Sequence, residues 1–181
     1  MKKIIIAIII AIASAMGANA QVLTSETIKN VYETVSHQQK SDFVFNAEWT
    51  DKDITTMYIY KKVSDRNGIL MLKPHLKYEY AYASDGTLTS RVAYRQSDSQ
   101  EWMCTGRHDY TLDNGVYFAE YSRYNRGTNS FDEPMEKMVY MLTPNDGIDY
   151  VGCYQREVPT APYQIVSETA IAHQSLLLAE K

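Results

Sequence analysis

The chain has 181 residues, with 18 Lys or Arg against 22 Asp or Glu, for a net charge of −4 at pH 7. That is one domain's worth of chain with a mildly acidic surface, which argues against nucleic acid and an anionic membrane as partners. The four histidines, His37, His75, His108 and His173, are scattered without metal-ligand spacing, so no metal site and no cofactor is expected.

Met1-Lys2-Lys3 is a short positive start, and Ile4 to Ala15 is apolar apart from Ser14. Gly17-Ala18-Asn19-Ala20 then places small residues at both positions of an A-x-A cleavage site. This is the layout of a secretory signal peptide, and its apolar run is shorter than the roughly 18 residues that span a bilayer. No Cys lies near residue 20 to accept a lipid. The expectation is a signal peptide over 1–20 and a single exported β domain over 21–181, periplasmic or extracellular, with no membrane insertion after cleavage. That mature chain keeps 16 Lys or Arg against 22 Asp or Glu, a net charge of −6.

Thr24 to Lys40 predicts a helix. Ile28, Val31, Tyr32 and Val35 recur at i, i+3, i+4, i+7, with Thr24 or Ser25 as cap and Glu26 in the first turn. Phe43 to Trp49 predicts a short extended segment. Ile54 to Val63 alternates as a strand does, with Met57 and Ile59 against Tyr58 and Tyr60. Four Asx-Gly pairs punctuate the remainder of the chain: Asn67-Gly68, Asp85-Gly86, Asn114-Gly115 and Asp146-Gly147. Asx-Gly between alternating apolar runs is the strongest short-range hairpin signal. The turn at Asn67-Gly68 is expected to be the less regular one, and Pro74 to mark an edge or a bulge.

Around Asp85-Gly86, an odd loop of Ser84-Asp85-Gly86 sets Tyr82 against Leu88, Tyr78 against Val92 and Leu76 against Tyr94. An even loop would split these apolar rows, so a type I turn with a Gly bulge is expected. By the same arithmetic Asp113-Asn114-Gly115 sets Leu112 against Val116 and Tyr110 against Phe118. Asn145-Asp146-Gly147 sets Leu142 against Tyr150 and Met138 against Tyr154. Val116 to Ala119 and Lys137 to Leu142 are apolar on both faces and call for cover on both sides. Gln164 to Val166 can end the chain as a strand, or Ser167 can cap a helix through Ala179. The expected fold is mainly β: an antiparallel meander of about seven or eight strands (a curved sheet, a sandwich or a partly open barrel), with an N-terminal helix and a possible short C-terminal helix.

The block Lys77 to Arg95, Tyr-x-Tyr-x-Tyr-x-x-Asp-Gly-x-Leu-Thr-Ser-Arg-Val-x-Tyr-Arg, resembles a unit of the small exported proteins of unknown function common in gut anaerobes. Trp102, Tyr110, Lys137-Met138-Val139-Tyr140 and Tyr154 extend the resemblance over most of the mature chain. More faintly, the unit is similar to the Tyr-Asp repeats of large bacterial surface proteins. The resemblance implies an exported β domain, and it brings no activity and no catalytic residue.

No nucleophile elbow, phosphate-binding loop or dinucleotide fingerprint is present, so no catalytic residue is assigned. His108 and Asp109 are neighbours on a strand, point to opposite faces and cannot form a dyad. Tyrosine is the unusual residue: there are 15, and 13 lie between Tyr58 and Tyr154. The row Tyr78, Tyr80, Tyr82, with Trp102, is the candidate aromatic platform, and Tyr117 and Tyr121 form a second recognition surface. The competing expectation packs the Tyr78 row inward against Leu88 and Val92. Cys104 and Cys153 are a candidate disulfide, although a simple meander sets their strands three apart. A non-catalytic binding or surface-associated domain with a glycan or protein ligand is expected. The alternatives are a small glycan hydrolase using a carboxylate pair and a barrel carrier of a small apolar ligand.

Overall fold

The computed structural model describes residues 23–38, 40–142 and 148–170. Thr24 opens helix α1 (Ser25–Ser36): its hydroxyl accepts from the Thr27 amide at 3.2 Å, and the Thr27 hydroxyl accepts from the Thr24 amide at 3.3 Å. This is a capping box with Thr where Glu or Gln is usual. The helix ends before Lys40, at His37, whose ring nitrogen lies 2.6 Å from the Glu33 carbonyl oxygen.

The strands are β1 (Phe43–Thr50), β2 (Asp53–Ser64), β3 (Leu70–Tyr82), β4 (Leu88–Gln96), β5 (Trp102–Asp113), β6 (Val116–Asn125), β7 (Ser130–Phe131), β8 (Glu136–Leu142), β9 (Ile148–Gln155) and β10 (Gln164–Ala170). They form one antiparallel sheet in the order β1-β2-β3-β4-β5-β6-β8-β9-β10, with β7 paired to β6. The expected meander is present, with more strands than anticipated because β7 is a two-residue step and the strand alternative at Gln164 to Val166 is taken and continues through Ser167 to Ala170; the rest of the alternative helix, 171–179, and the expected signal peptide, 1–20, lie outside the described residues. β1 and β10 are free edges among the described residues, so the sheet does not close into a barrel. No second sheet among the described residues packs on it.

The turns divide into two kinds. Ala83 donates to the Thr87 carbonyl and Gly86 to the Ala83 carbonyl, closing the expected three-residue loop with Gly86 at φ +83°. A side chain there would be strained and would also meet the Ser25 hydroxyl at 3.3 Å. The turn at Asn67-Gly68 has the same pattern, with Asp65 donating to the Ile69 carbonyl, so it is as regular as the other. A third copy closes between Ser97 and Glu101, where Gln100 takes the left-handed place at φ +66°. The β5–β6 turn corrects the expectation. Asn114 (φ +48°) and Gly115 (φ +77°) are both left-handed, which makes a two-residue loop of type I′. Tyr110 therefore faces Ala119, and Leu112 faces Tyr117.

The register of the Asp85-Gly86 hairpin also departs from the expectation. Tyr82 faces Leu88 as anticipated, but a bulge then shifts the ladder, so Tyr80 faces Arg91, Tyr78 faces Ala93 and Leu76 faces Arg95. The Thr89 hydroxyl donates to the Ala81 carbonyl at 3.0 Å and holds the bulge. In the last hairpin Met138 faces Cys153 and Met141 faces Tyr150, one step from the expected register; its turn, 145–147, lies outside the described residues. Pro74 sits beside a bulge between β2 and β3, where a missing donor does least harm.

Directly paired residues share a face of the sheet. α1 packs on β1 and β2 and covers one face. The core there is Ile28, Ile54, Met57, Leu88, Tyr110, Tyr117 and Ala119. Ile54 and Leu88 are fully buried, each worth about 1.5–3 kcal/mol of apolar burial. The N-terminus of α1 is pinned to the sheet by Ser25 donating to the Gly86 carbonyl and Leu88 donating to the Leu23 carbonyl, both at 2.9 Å. No helix among the described residues packs on the opposite face. Its rings are covered by cationic side chains instead: Lys137 Nζ lies 5.0 Å from the Phe118 ring centre and Arg107 4.5 Å from that of Phe131. That cover lets Phe118 lie on a sheet without a second layer.

Candidate functional site

The helix-covered face carries a polar row across six strands: Tyr80, Arg91, His108, Tyr121, Glu136 and Gln155 stand opposite one another in turn. Arg91 is only 7% exposed, and no carboxylate among the described residues lies within 4.0 Å of it. Its guanidinium sits 4.9 Å from the Tyr78 ring centre and 3.3 Å from His108 Nδ1. Burial opposes its charge, and Tyr110, Tyr78, Tyr80 and Tyr140 around it more than restore that charge. His108 is buried beside it. Desolvation, reinforced by the Arg91 charge, pushes its pKa down to about 3, so the ring is neutral and Nδ1 is free to accept from Arg91. At its outer end the row borders a cavity of about 90 Å³ lined by His108, Ala119, Tyr121, Glu136, Met138 and Cys153. This is well below the roughly 300 Å³ at which small-molecule pockets begin.

The sequence-predicted platform is divided between the two faces. Tyr78 (8% exposed) and Tyr117 (4%) are core residues on the covered face. Tyr80 and Tyr82 pack against the same core, and the Tyr82 hydroxyl donates to the Ile54 carbonyl at 2.8 Å. These four therefore serve packing, as the inward expectation had it, although Tyr78 lies against Ala93 and Arg91 instead of Val92. Tyr121 lies on the cavity wall with its ring 5.0 Å from His108 and directly over Gly106. Trp102 alone of the six is on the uncovered face. Cys104 and Cys153 are both free, with β6 and β8 between their strands, which corrects the candidate disulfide. Burial also pushes the Cys104 thiol up, away from nucleophile chemistry.

Around Trp102 the uncovered face gathers what the spacing alone did not bring together. Tyr58 of β2 lies 6.0 Å from Trp102 and 6.5 Å from Tyr60, ring centre to ring centre. Lys77 of β3 places its ammonium 4.0 Å from the Tyr94 ring centre and 6.0 Å from that of Trp102. The same ammonium pairs with Glu79 at 2.7 Å, and the Tyr94 hydroxyl donates to the other Glu79 oxygen at 2.6 Å. Burial alone would raise the Glu79 pKa, but the Lys77 and Tyr94 hydrogen bonds outweigh it and hold the carboxyl below its ordinary range. All six side chains are half-buried. The arrangement is a row of ring faces around a fixed carboxylate. Such a surface stacks flat C–H-rich groups and accepts hydrogen bonds from hydroxyls. It is unsuited to general-acid chemistry, which needs a carboxyl held protonated near neutral pH.

Alternation held the signal for this cluster. Tyr58 and Tyr60 oppose Met57 and Ile59 on β2, and Lys77 and Glu79 oppose Tyr78 and Tyr80 on β3. Once Met57 and Tyr78 are buried, their neighbours must face outward. Among the described residues no group of three or more His, Cys, Asp or Glu is arranged to hold a metal ion, and no helix is long and apolar enough to cross a membrane.

A crystal structure of a protein of unknown function from Bacteroides fragilis is similar at a TM-score of 0.62 and 21% identity, over 73% of this chain and 94% of that one. This likeness shows the fold. Solved DUF3836 proteins from Bacteroides vulgatus (TM-score 0.45, 21% identity, 50% of this chain and 89% of that one) and Parabacteroides distasonis (0.48, 19%, 54% and 88%) also match. None of the curated proteins matches. A family model described as a family of unknown function, DUF3836, matches residues 1–142, more than half of the chain, and the chain therefore belongs to the DUF3836 family.

Proposed function

We propose that this is an exported, non-catalytic binding domain that holds a glycan on its uncovered sheet face. The observation that carries this reading is the cluster of Tyr58, Tyr60, Tyr94 and Trp102 around the Lys77–Glu79 ion pair. Sugar rings present C–H faces to aromatic rings and hydroxyls to a carboxylate, and this face offers both within one ring's reach. The pattern of residues 1–20 supports export. The depressed Glu79 pKa disfavours the hydrolase alternative, and a sheet that does not close disfavours the barrel carrier.

The test is calorimetric titration of residues 21–181 with peptidoglycan fragments and a panel of soluble oligosaccharides, in parallel with Trp102→Ala and Tyr58→Ala. Removing either ring is expected to weaken binding about tenfold or more, the usual cost of losing an aromatic anchor, with the thermal transition near that of the wild type. Absence of binding by the wild type, or equal binding by both variants, would overturn the proposal.

A further inference from the structure

The β2–β3 hairpin extends beyond its neighbours. β1 begins opposite Lys61, and the β4 pairing stops at Leu76 opposite Arg95. Past those points the pairs Lys62–Leu72, Val63–Met71 and Ser64–Leu70 form a two-stranded ribbon closed by 65–69. The Lys62 amide still donates to the Asp42 carbonyl at 2.8 Å, so the free part starts at Val63 and projects roughly 10 Å at the usual strand rise. Ile69, Leu70, Met71 and Leu72 are 60%, 63%, 49% and 51% exposed, the densest run of exposed large apolar side chains among the described residues.

Two features identify what covers this tip. Successive strand residues point to opposite sides, so Leu70 and Leu72 project from one side of the ribbon and Met71 from the other. A folded partner resting on one side would leave the other in water, whereas a bilayer interface surrounds an inserted ribbon. The second feature is charge. Residues 61–73 carry Lys61, Lys62, Arg66 and Lys73 against Asp65 alone, on a chain whose net charge is −4. Lys62 is half-buried and its ammonium donates to the Ser41 carbonyl at 2.9 Å, which leaves Lys61, Arg66 and Lys73 exposed. Asp65 is occupied locally, accepting from the Asn67 and Ile69 amides at 2.8 Å. Cations flanking exposed apolar residues are complementary to anionic headgroups over an acyl boundary, and the ribbon's length matches the 5–10 Å depth at which interfacial segments sit. Chain-average acidity therefore does not exclude an anionic membrane at this end. Leu23, Leu142, Ile148 and Ala170, which border the three longest undescribed stretches, lie at the opposite end of the sheet, beside the Gly86 and Gly115 turns.

We propose that the 61–73 hairpin tip docks peripherally on an anionic phospholipid surface, with Leu70, Met71 and Leu72 in the interface and the three exposed cations, Lys61, Arg66 and Lys73, at headgroup level. The helix and every described strand pair lie within residues 24–170, so the chain from Gln21 is the material to test. It is sedimented with large unilamellar vesicles of phosphatidylglycerol and phosphatidylcholine in equal parts, and with phosphatidylcholine alone. Binding is expected on the mixed vesicles and not on phosphatidylcholine, and it should fall as salt rises. Lys61→Gln/Lys73→Gln should weaken it about fivefold per charge, and Leu70→Ser/Leu72→Ser should abolish it with the thermal transition unchanged. The proposal is overturned if the wild type stays in the supernatant, or if the Leu70→Ser/Leu72→Ser chain binds as well. It is equally overturned if sedimentation velocity shows self-association through the tip while vesicles are ignored.

Discussion

Acidification tests the buried end of the polar row. His108 titrates near its ordinary value of 6.5 in the unfolded chain but is held down to about 3 in the folded one. Between those values the unfolded state carries the extra proton, so stability is fully present above pH 6.5 and is lost as pH falls toward 3. Each pH unit across that window costs about 1.4 kcal/mol, so going from pH 6.5 to 5.0 should remove about 2 kcal/mol. For a domain of this size that is roughly 4–8 °C in melting temperature. The groups around His108 are Arg91 on β4, Tyr110 on β5, Tyr121 on β6, Glu136 on β8 and Cys153 on β9, and Arg91 adds to the depression. Glu79 and Asp85, both depressed carboxylates, lose their contributions only as pH falls below the ordinary carboxylate range, so measurements above pH 5 separate them from the histidine. His75 is also lowered and contributes in the same window, so the decisive quantity is a difference between chains. The assay is urea unfolding at pH 7.5, 6.5, 5.7 and 5.0 for the wild type and for His108→Gln, whose amide oxygen can still accept from Arg91. The variant's stability should fall less with acid, by close to one proton's worth of slope. Parallel curves for the two chains would refute a neutral, buried His108.

Four single contacts carry further expected outcomes. Gly106→Ala would set a Cβ 2.6 Å from the Tyr121 ring and 2.8 Å from the Ser122 carbonyl oxygen, so it should cost about 2–3 kcal/mol in urea unfolding, and pairing it with Tyr121→Ala should recover part of the loss. Gln100→Gly relieves a left-handed non-glycine and should raise stability by about 1 kcal/mol, read as an upward shift in melting temperature. Thr24→Ala removes the α1 cap and should cost about 1 kcal/mol by the same measurement. Cys104 and Cys153 should both alkylate after unfolding without reductant, and dithiothreitol should leave the melting temperature where it was.

The turns were the legible part of the sequence, because Asx-Gly needs no tertiary context to favour a left-handed residue. Parity was not legible. Ser84-Asp85-Gly86 and Asp113-Asn114-Gly115 look alike, yet Asn114 takes the left-handed region itself and shortens its loop to two residues. The turn at Gln100 carries no glycine and so gave no signal. The bulge at Thr89 was hidden for a related reason: a Thr hydroxyl that can reach the Ala81 carbonyl can as easily face water. That one inserted residue decides which of Arg91 and Val92 lies opposite the tyrosine row. The platform was misplaced because tyrosine suits a core and a surface alike; Tyr78 and Tyr94 differ in fate through register, and register depended on the bulge.

The bulge also accounts for the contrast between the two faces. Without it, Ser90 would face Tyr80 and Val92 would face Tyr78, and the covered side of β4 would hold no charge there. With it, a guanidinium enters the core and must be held without a carboxylate. Tyrosine faces and a neutral imidazole meet that need, since each offers electron density while adding no second buried charge. The requirement fixes the inward identities of Tyr78, His108 and Tyr110, and it commits those strands to a single register, because a one-residue slip would leave the arginine among groups that cannot accept from it. The opposite residues on the same strands, Lys77, Glu79, Val92 and Tyr94, are thereby fixed outward. On this argument the outer cluster depends on the buried arginine for its alignment. Arg91→Met should therefore fold, with His108 titrating closer to its ordinary value by NMR, while the ring contacts of Tyr94 and Trp102 with Lys77 broaden or shift; an unchanged Trp102 indole resonance would break the link between the two faces.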